Sequence, residues 1–356
     1  MWRVLGLKAR WPKADMSLRA VFAIPGDLAS LTGGYAYDRH VLARLEGLQH
    51  LPLPEGFPFP SRVALDETAA RLAAAGPDHV LLCDGLAFGA LPEPVLKSIR
   101  APIVALVHHP LALETGLAPD VAQDLAALER KALEFARAVI VTSPITRDLL
   151  VKDYAVDASR ITVALPGTTR ATRARGSGGA KLHLLAVGSV VPRKAYDVLL
   201  DALDMCRNLD WHLTIAGSLE RAPDHARALL ARASERIHFA GEVTSTELDA
   251  LYDRADLFVM SSHFEGYGMV LGEAMVRGLP IVSTDGGALA ETVPEHAALR
   301  VKAGDALALA QALRRVISDP DLRKTLADAS FAEGARLPTW DETAQIIAHV
   351  LKEVTP

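Results

Sequence analysis

The sequence predicts an α/β protein of two domains, each a parallel sheet with helices on both faces. Three observations carry that expectation. Short, wholly apolar runs alternate with helix-like stretches along the chain, the pattern of strands buried between helical layers. At 356 residues the chain is long for one core and sufficient for two. The composition also changes once, where 170–180 holds three arginines and a Gly-Ser-Gly-Gly run, which reads as a linker.

The elements follow in order. Residues 1–15 form an extension with Trp2, Arg3, Lys8, Arg10, Trp11 and Lys13. It has no apolar stretch of a secretion signal, and reads as a loose arm or, alternatively, an interfacial anchor. The first domain is expected over 16–168. A strand over 18–24 leads through a loop over 25–32 to a helix opened by Gly33-Gly34-Tyr35 and running to 45. Apolar runs at 80–83 and 103–107 are strands. A helix over 121–137 has apolar positions 121, 125, 128, 132 and 135. Strands follow at 138–142 and 160–164. Past the linker at 169–180, a second domain is expected over 181–338. It has strands at 182–187, 212–216, 237–240, 255–260 and 281–284, and helices at 195–207, 223–234, 245–254, 269–277 and 305–317. Thr339-Trp340-Asp341 opens a capped amphipathic helix over 339–356.

Bulk properties exclude several classes. There are 43 acidic and 38 basic residues and a net charge of -5, which argues against nucleic acid as the main partner. Cys83 and Cys206 form no metal or redox spacing and read as buried thiols in a reducing compartment. No apolar run reaches the roughly 18 residues a membrane span needs.

The most informative stretch is Phe264-Glu265-Gly266-Tyr267-Gly268-Met269-Val270-Leu271-Gly272-Glu273. A buried strand ends before it, a Gly-x-Gly turn lies within it, and a helix begins at Met269. Gly278 and Pro280 close that helix. A helix N-terminus offers free N–H groups and the positive end of a dipole, which suits a diphosphate. Glutamates beside such a site would be repelled by phosphate unless they hold sugar or ribose hydroxyls. That pairing points to a nucleotide sugar.

The segment resembles the E-x7-E motif of the family-4 retaining glycosyltransferases. The likeness continues through Gly278-Leu279-Pro280, Gly286-Gly287 and Glu291. A pair of glutamates at this spacing alone would suit a solvated helix face; the glycine turn and Gly-x-Pro strand in register make it specific. The resemblance implies the GT-B fold, two Rossmann-like domains with parallel sheets facing a central cleft. It also implies that the last helix crosses back to the first domain. It gives Glu273 the ribose hydroxyls and Glu265 the transferred sugar, with Gly266, Tyr267, Gly268, Met269 and Val270 around the diphosphate.

Other loops fall after strands, where such clefts place ligands. Gly188-Ser189-Val190-Val191-Pro192-Arg193-Lys194 puts two cations where they could neutralise a diphosphate leaving group. Family members carry a similar loop, often with Arg where this chain has Ser189 and Gly where it has Ala195. That leaves Arg193 and Lys194 to supply the charge. The plainer alternative is a solvated basic loop. Gly33-Gly34 lacks a dinucleotide fingerprint and would pass for an ordinary turn. The resemblance puts it at the cleft. His108-His109-Pro110 ends a strand, and either imidazole could meet a sugar hydroxyl; His109 is chosen, with His108 close behind. A metal is not expected, since two adjacent histidines without a nearby carboxylate cluster make poor geometry. Gly217 and Val243, in loops after strands, are implied walls of the nucleobase site, or simple turns. Asp256 supports the strand before the motif, and Asp285 is expected to steady the Gly286-Gly287 turn. His183, His212, His225, His238 and His296 read as structural or surface.

Together these imply a retaining, metal-independent glycosyltransferase without a cofactor. Its donor is a UDP- or GDP-linked sugar and its acceptor a saccharide, lipid or small metabolite. It is expected in the cytoplasm, with at most peripheral contact at the inner membrane face. Two alternatives stand beside it. One is another enzyme on the same fold, a nucleotide-sugar epimerase or a phosphorylase. The other is a non-catalytic module that binds a nucleotide sugar, which only Ser189 favours.

Overall fold

The structure, a computed structural model, describes residues 18–114 and 116–355. The arm over 1–15 and the expected start of the first domain at Met16 lie outside the described residues. The first half of the chain runs β1 (Ala20–Pro25), α1 (Gly33–Leu42), β2 (Leu48–Leu53), α2 (Arg62–Ala73), β3 (Val80–Asp84), α3 (Gly85–Phe88), α4 (Glu93–Ser98), β4 (Ile103–Val107), α5 (Pro119–Phe135), β5 (Ala138–Val141), α6 (Pro144–Tyr154) and β6 (Ile161–Val163). These strands form one parallel sheet in the order β2-β1-β3-β4-β5-β6. The second half runs β7 (Leu182–Val187), α7 (Tyr196–Asp204), β8 (Trp211–Ala216), α8 (Pro223–Leu230), β9 (Ile237–Gly241), α9 (Ser245–Arg254), β10 (Leu257–Met260), α10 (Met269–Val276), β11 (Ile281–Thr284), α11 (Leu289–Thr292), β12 (Ala298–Val301), α12 (Ala306–Ser318), α13 (Pro320–Gly334) and α14 (Trp340–Val354). Its parallel sheet has the order β12-β11-β10-β7-β8-β9.

Each order reverses once, between β1 and β3 in the first sheet and between β7 and β10 in the second. Loops leaving the two strands at such a reversal diverge to opposite faces and leave a crevice. The four segments that diverge here begin at Gly26, Gly85, Gly188 and Ser261, so both reversals carry segments singled out from the sequence or their neighbours.

Strands buried on both faces are continuous apolar runs, as β4 is throughout and β3 is up to its last residue, Asp84. Edge strands depart from that rule. β2 contains Pro52, which lacks a ladder donor and is tolerated because the strand lies at the edge. β12 is a four-residue edge strand containing Arg300. Neither was expected from the sequence, nor were α2, α4, α6 and α13. The helix expected over 121–137 begins instead at Pro119, whose fixed φ suits the first helical position.

α14 leaves the second half of the chain and packs against the first sheet. Trp340, Ile347 and Leu351 share a core with Phe22, Ile24, Tyr37 and Leu106. A reciprocal Thr339–Glu342 capping box starts the helix. The segment after β6 is not a free tether. Ala174 N–H bonds Arg277 O (2.9 Å), Ser177 N–H bonds Asp256 Oδ1 (3.1 Å), and Arg170 bonds Gly334 O (2.7 Å). It is laid along the second domain. No described helix is long and apolar enough to cross a membrane.

Candidate active site

The loop after β10 turns sharply twice. Gly268 is at φ +86°, a left-handed conformation that a side chain would strain, and it forms the cap from which α10 starts. At Gly266 a Cβ would lie 2.4 Å from the His108 carbonyl oxygen. Glycine there lets this loop touch the first domain. No side chain caps α10, so its first amides face the crevice without a side-chain partner.

Glu265 is buried and surrounded by donors. Arg193 Nη1 lies 2.9 Å from Oε2, Lys194 Nζ 2.8 Å from Oε1, and Ser262 donates to Oε1 at 2.8 Å. Burial would raise its pKa, but the Lys194 and Arg193 charges outweigh burial and hold it at about 2. Arg193 also donates to Phe264 O (2.8 Å) and reaches Glu114 of the first domain (3.3 Å). Burial would lower its pKa, yet Glu265 and Glu114 raise it. Lys194 moves down, because burial and the Arg193 charge exceed what Glu265 returns. An added anion would relieve that strain. The Pro192–Lys194 turn ends at Ala195 in a left-handed conformation (φ 50°), the position where glycine was noted as commoner. Ser189 leaves no cation at its own position, and its loop is closed by Val191 N–H bonding Ser189 O (2.9 Å).

Glu273 lies one turn inside α10. Tyr252 of α9 donates to its Oε2 at 2.8 Å. Burial pushes its pKa up, and the Tyr252 bond and Arg277 offset this only in part. Glu273 lines a cavity of about 710 Å³ with Ala36, Thr168, Arg170, Leu248 and Trp340, and that lining does not include Glu265, Arg193 or Lys194. Gly217 packs against Gly188, and Val243 follows β9, the edge strand of the second sheet. Tyr267 is buried, its carbonyl accepting from Thr292 Oγ1 (2.5 Å). Val270 O accepts a long bond from Tyr252 (3.3 Å).

From the first domain, Gly33 and Gly34 open α1. Gly33 lies near Met269 Sδ, and Gly34 sits against the His108 ring. The two histidines face different ways. His109 turns toward the second domain, with Glu114 at 3.5 Å and the Phe264 ring at 6.3 Å. His108 turns inward, its Nε2 3.2 Å from Asp38 and 3.6 Å from Asp84. The premise that no carboxylates gather near these histidines is therefore corrected. Asp38, Asp84 and His108 present atoms within 4.8 Å of one another. Sequence reasoning missed Asp38, Asp84, Glu114 and Ser262. Asp84 alone had a signal, standing directly after the apolar run of β3. Asp285 is also corrected: it accepts from Ala303 N–H (3.1 Å) and pairs with Lys302 (3.1 Å), serving the next segment, not the glycine turn. Asp256 binds His183 N–H (2.8 Å) at the start of β7. His183 stacks on His212 and bonds Thr214 (2.9 Å).

Residues 28–170 match the family described as Glycosyltransferase Family 4, and residues 169–332 match Glycosyl transferases group 1. A D-inositol 3-phosphate glycosyltransferase of Streptomyces bingchenggensis is 29% identical over 283 residues, 71% of this chain and 62% of that protein. A mannosylfructose-phosphate synthase of Agrobacterium fabrum is 31% identical over 176 residues, 42% of this chain and 38% of its own. The chain thus spans less than two thirds of these relatives. Sucrose-phosphate synthase from Thermosynechococcus elongatus superposes with a TM-score of 0.76 at 21% identity, covering 94% of this chain and 99% of that one. Anabaena Alr3699/HepE in complex with UDP-glucose gives 0.76 at 16% identity, with 94% and 99% covered. With two adjoining family matches, the E-x7-E helix and the paired parallel sheets all in agreement, the chain belongs to glycosyltransferase family 4 and has the GT-B fold.

Proposed function

We propose that this protein is a retaining, metal-independent glycosyltransferase that takes a sugar from a nucleoside-diphosphate donor to a hydroxyl acceptor. The observation that carries this reading is the Arg193–Glu265–Lys194 cluster beside the uncapped start of α10. Two cations there share a buried carboxylate, with Glu273 on the same helix. Glu265 neutralises the two cations. An arriving diphosphate competes for Arg193, Lys194 and the Met269 amide, and leaves the Glu265 carboxylate to accept hydroxyls of the transferred sugar. Arg193 and Lys194 then stabilise the charge that builds on the leaving diphosphate. Retention follows from attack on the face the leaving group vacates, with the diphosphate taking the acceptor proton. Glu273, in its cavity, takes the ribose hydroxyls. Gly217, Ser189 and Val243 flank the base, and His109, His108 and the Gly33-Gly34 turn complete the acceptor side.

A uridine carrier is the favoured donor, because Anabaena Alr3699/HepE, similar in fold, binds UDP-glucose. The two free cysteines, both buried, fit a reducing, cytoplasmic setting. Calorimetric titration with UDP-, GDP-, ADP- and TDP-sugars, with and without magnesium, tests the donor. Tight binding of one diphosphate without metal is expected, followed by transfer with the anomeric configuration kept, read by NMR. Binding without transfer or donor hydrolysis would favour the non-catalytic module; no binding would reject the donor site.

A further inference from the structure

The first domain holds a buried cluster that the donor reading does not use. Asp38 of α1 is fully buried and Asp84 at the end of β3 is 3% exposed. Both point at one atom, His108 Nε2, at 3.2 and 3.6 Å. Asp84 is fixed from behind, its Oδ1 accepting the Leu86 N–H at 2.7 Å. Asp38 Oδ2 is buried without a partner, so the histidine is its main compensation. The ring is held on its other sides too. Tyr37 meets it edge-on at 5.3 Å, Gly34 packs against Cδ2, and Thr142 Oγ1–H donates to the His108 carbonyl at 3.0 Å. The opposite nitrogen, Nδ1, has no hydrogen-bond partner among the described residues, and the side chain as a whole keeps 20% of its surface exposed.

The charges facing this ring are few. Tyr35 and Tyr37 of α1 donate their hydroxyls to the carbonyls of Pro25 and Ala164. β5 presents the neutral Thr142, and the loop after β10 presents the Gly266 backbone. His109 is engaged by Glu114. Asp38 and Asp84 are thus the anions in contact. Two buried carboxylates so close resist ionising together unless a cation lies between them. Burial pulls the His108 pKa down, but Asp38 and Asp84 outweigh it and bring it to about 10. Asp38 is pushed up to about 7 by burial and by Asp84. Asp84 is lowered, since the His108 bond and charge exceed its burial.

We propose that Asp38 and Asp84 are positioning residues that hold His108 as an imidazolium, so that its Nδ1–H faces the crevice as a fixed hydrogen-bond donor and the ring does not act as a base. The transferase reading enters only in naming what that donor meets, a hydroxyl oxygen of the sugar or acceptor. A donor already charged and aimed needs no proton movement during the reaction.

The test is ¹⁵N NMR of the full chain with labelled histidine, without any sugar, the His108 signals being those lost in His108→Gln. Both ring nitrogens are expected to stay protonated from about pH 6 to about pH 8.5, beyond the range where a free histidine titrates. Asp38→Asn and Asp84→Asn should each lower the His108 midpoint by about one unit or more. If Asp38→Asn does not fold, judged by circular dichroism, the wild-type titration and Asp84→Asn decide. A wild-type His108 neutral at pH 7, or a midpoint unmoved by the Asn variants, would overturn the proposal. So would zinc binding to the wild type that Asp38→Asn abolishes, since the cluster would then be a metal centre. Because no sugar is present, failure here leaves the donor assignment standing, and failure of the donor titration leaves this result standing.

Discussion

Replacing Glu265 with Gln isolates the centre of the site with little change of shape. The carboxylate lies between Arg193 and Lys194 at 2.9 and 2.8 Å, and glutamine leaves two buried cations without it. The drop in its pKa from 4.5 to about 2 is worth about 3 kcal/mol at roughly 1.4 kcal/mol per unit. Breaking a buried ion pair by removing one partner costs about 3–5 kcal/mol. The lower figure is the better guide here, because Lys194, already pushed down, can relieve the strain by losing its proton. The folded pKa lies below the unfolded one. The stabilisation is therefore complete above pH 4.5 and lost as pH falls from 4.5 through about 2. Calorimetric melting at neutral pH should show the variant lower by roughly 6–12 °C, at about 2–4 °C per kcal/mol for a cooperative unit of this domain's size. The gap should close with acid. A neutral-pH loss below about 1 kcal/mol, or a gap indifferent to acid, would refute the view of Glu265 as a buried anion clasped by two cations.

Three further outcomes are expected. Glu273→Ala should weaken nucleoside diphosphate binding in calorimetry, while Lys194→Ala should mainly lower kcat; unchanged activity in both would sink the donor-site assignment. Trp340→Ala should cost about 3–5 kcal/mol in denaturant unfolding, because Trp340 is 5% exposed and carries α14 into the first domain's core; a loss under about 1 kcal/mol would mean that α14 is not anchored there. Glu129, whose Oε2 accepts the Leu111 N–H at 2.9 Å, is raised by burial to about 8. Its folded pKa lies above the unfolded one, so its stabilisation is present below pH 4.5 and lost as pH rises through about 8. Glu129→Gln should gain on the wild type by about 1.4 kcal/mol per pH unit across that window, and a constant difference between melts at pH 5 and pH 8 would contradict it.

The legible parts of the fold share a physical cause. β3, β4 and β10 are covered on both faces, so they appear as apolar runs whatever surrounds them. β2 and β12 are edges, where Pro52 and Arg300 can stand, and the signal disappears. The same division holds at the site. Glu265, Glu273, Arg193 and Lys194 belong to local patterns of turn, helix start and strand end, and the resemblance ordered them. Asp38 and His108 are separated by 70 positions, and Glu114 and Arg193 by 79. No spacing joins such pairs: the first forms where α1 packs over the end of β4, and the second where the loops of two separate sheets meet.

The two glutamates of the motif show why identity of residue does not fix identity of role. Glu265 has two cations and a serine hydroxyl on it, so its charge is stabilised before any ligand arrives. Glu273 lies on the same helix motif but receives only the Tyr252 hydroxyl, and the Arg277 guanidinium that could serve it is paired with Asp249. Burial therefore wins, and its pKa moves up where that of Glu265 moves down. Environments that push two like groups apart assign them different work. A carboxylate held anionic by cations suits a place beside a diphosphate, where those cations can change partners. A carboxyl buried with a single neutral donor is ill-suited to a second charge and well suited to a neutral diol, whose hydroxyls can both give and accept. The proposed division, Glu265 to the transferred sugar and Glu273 to the ribose, thus matches what surrounds each glutamate.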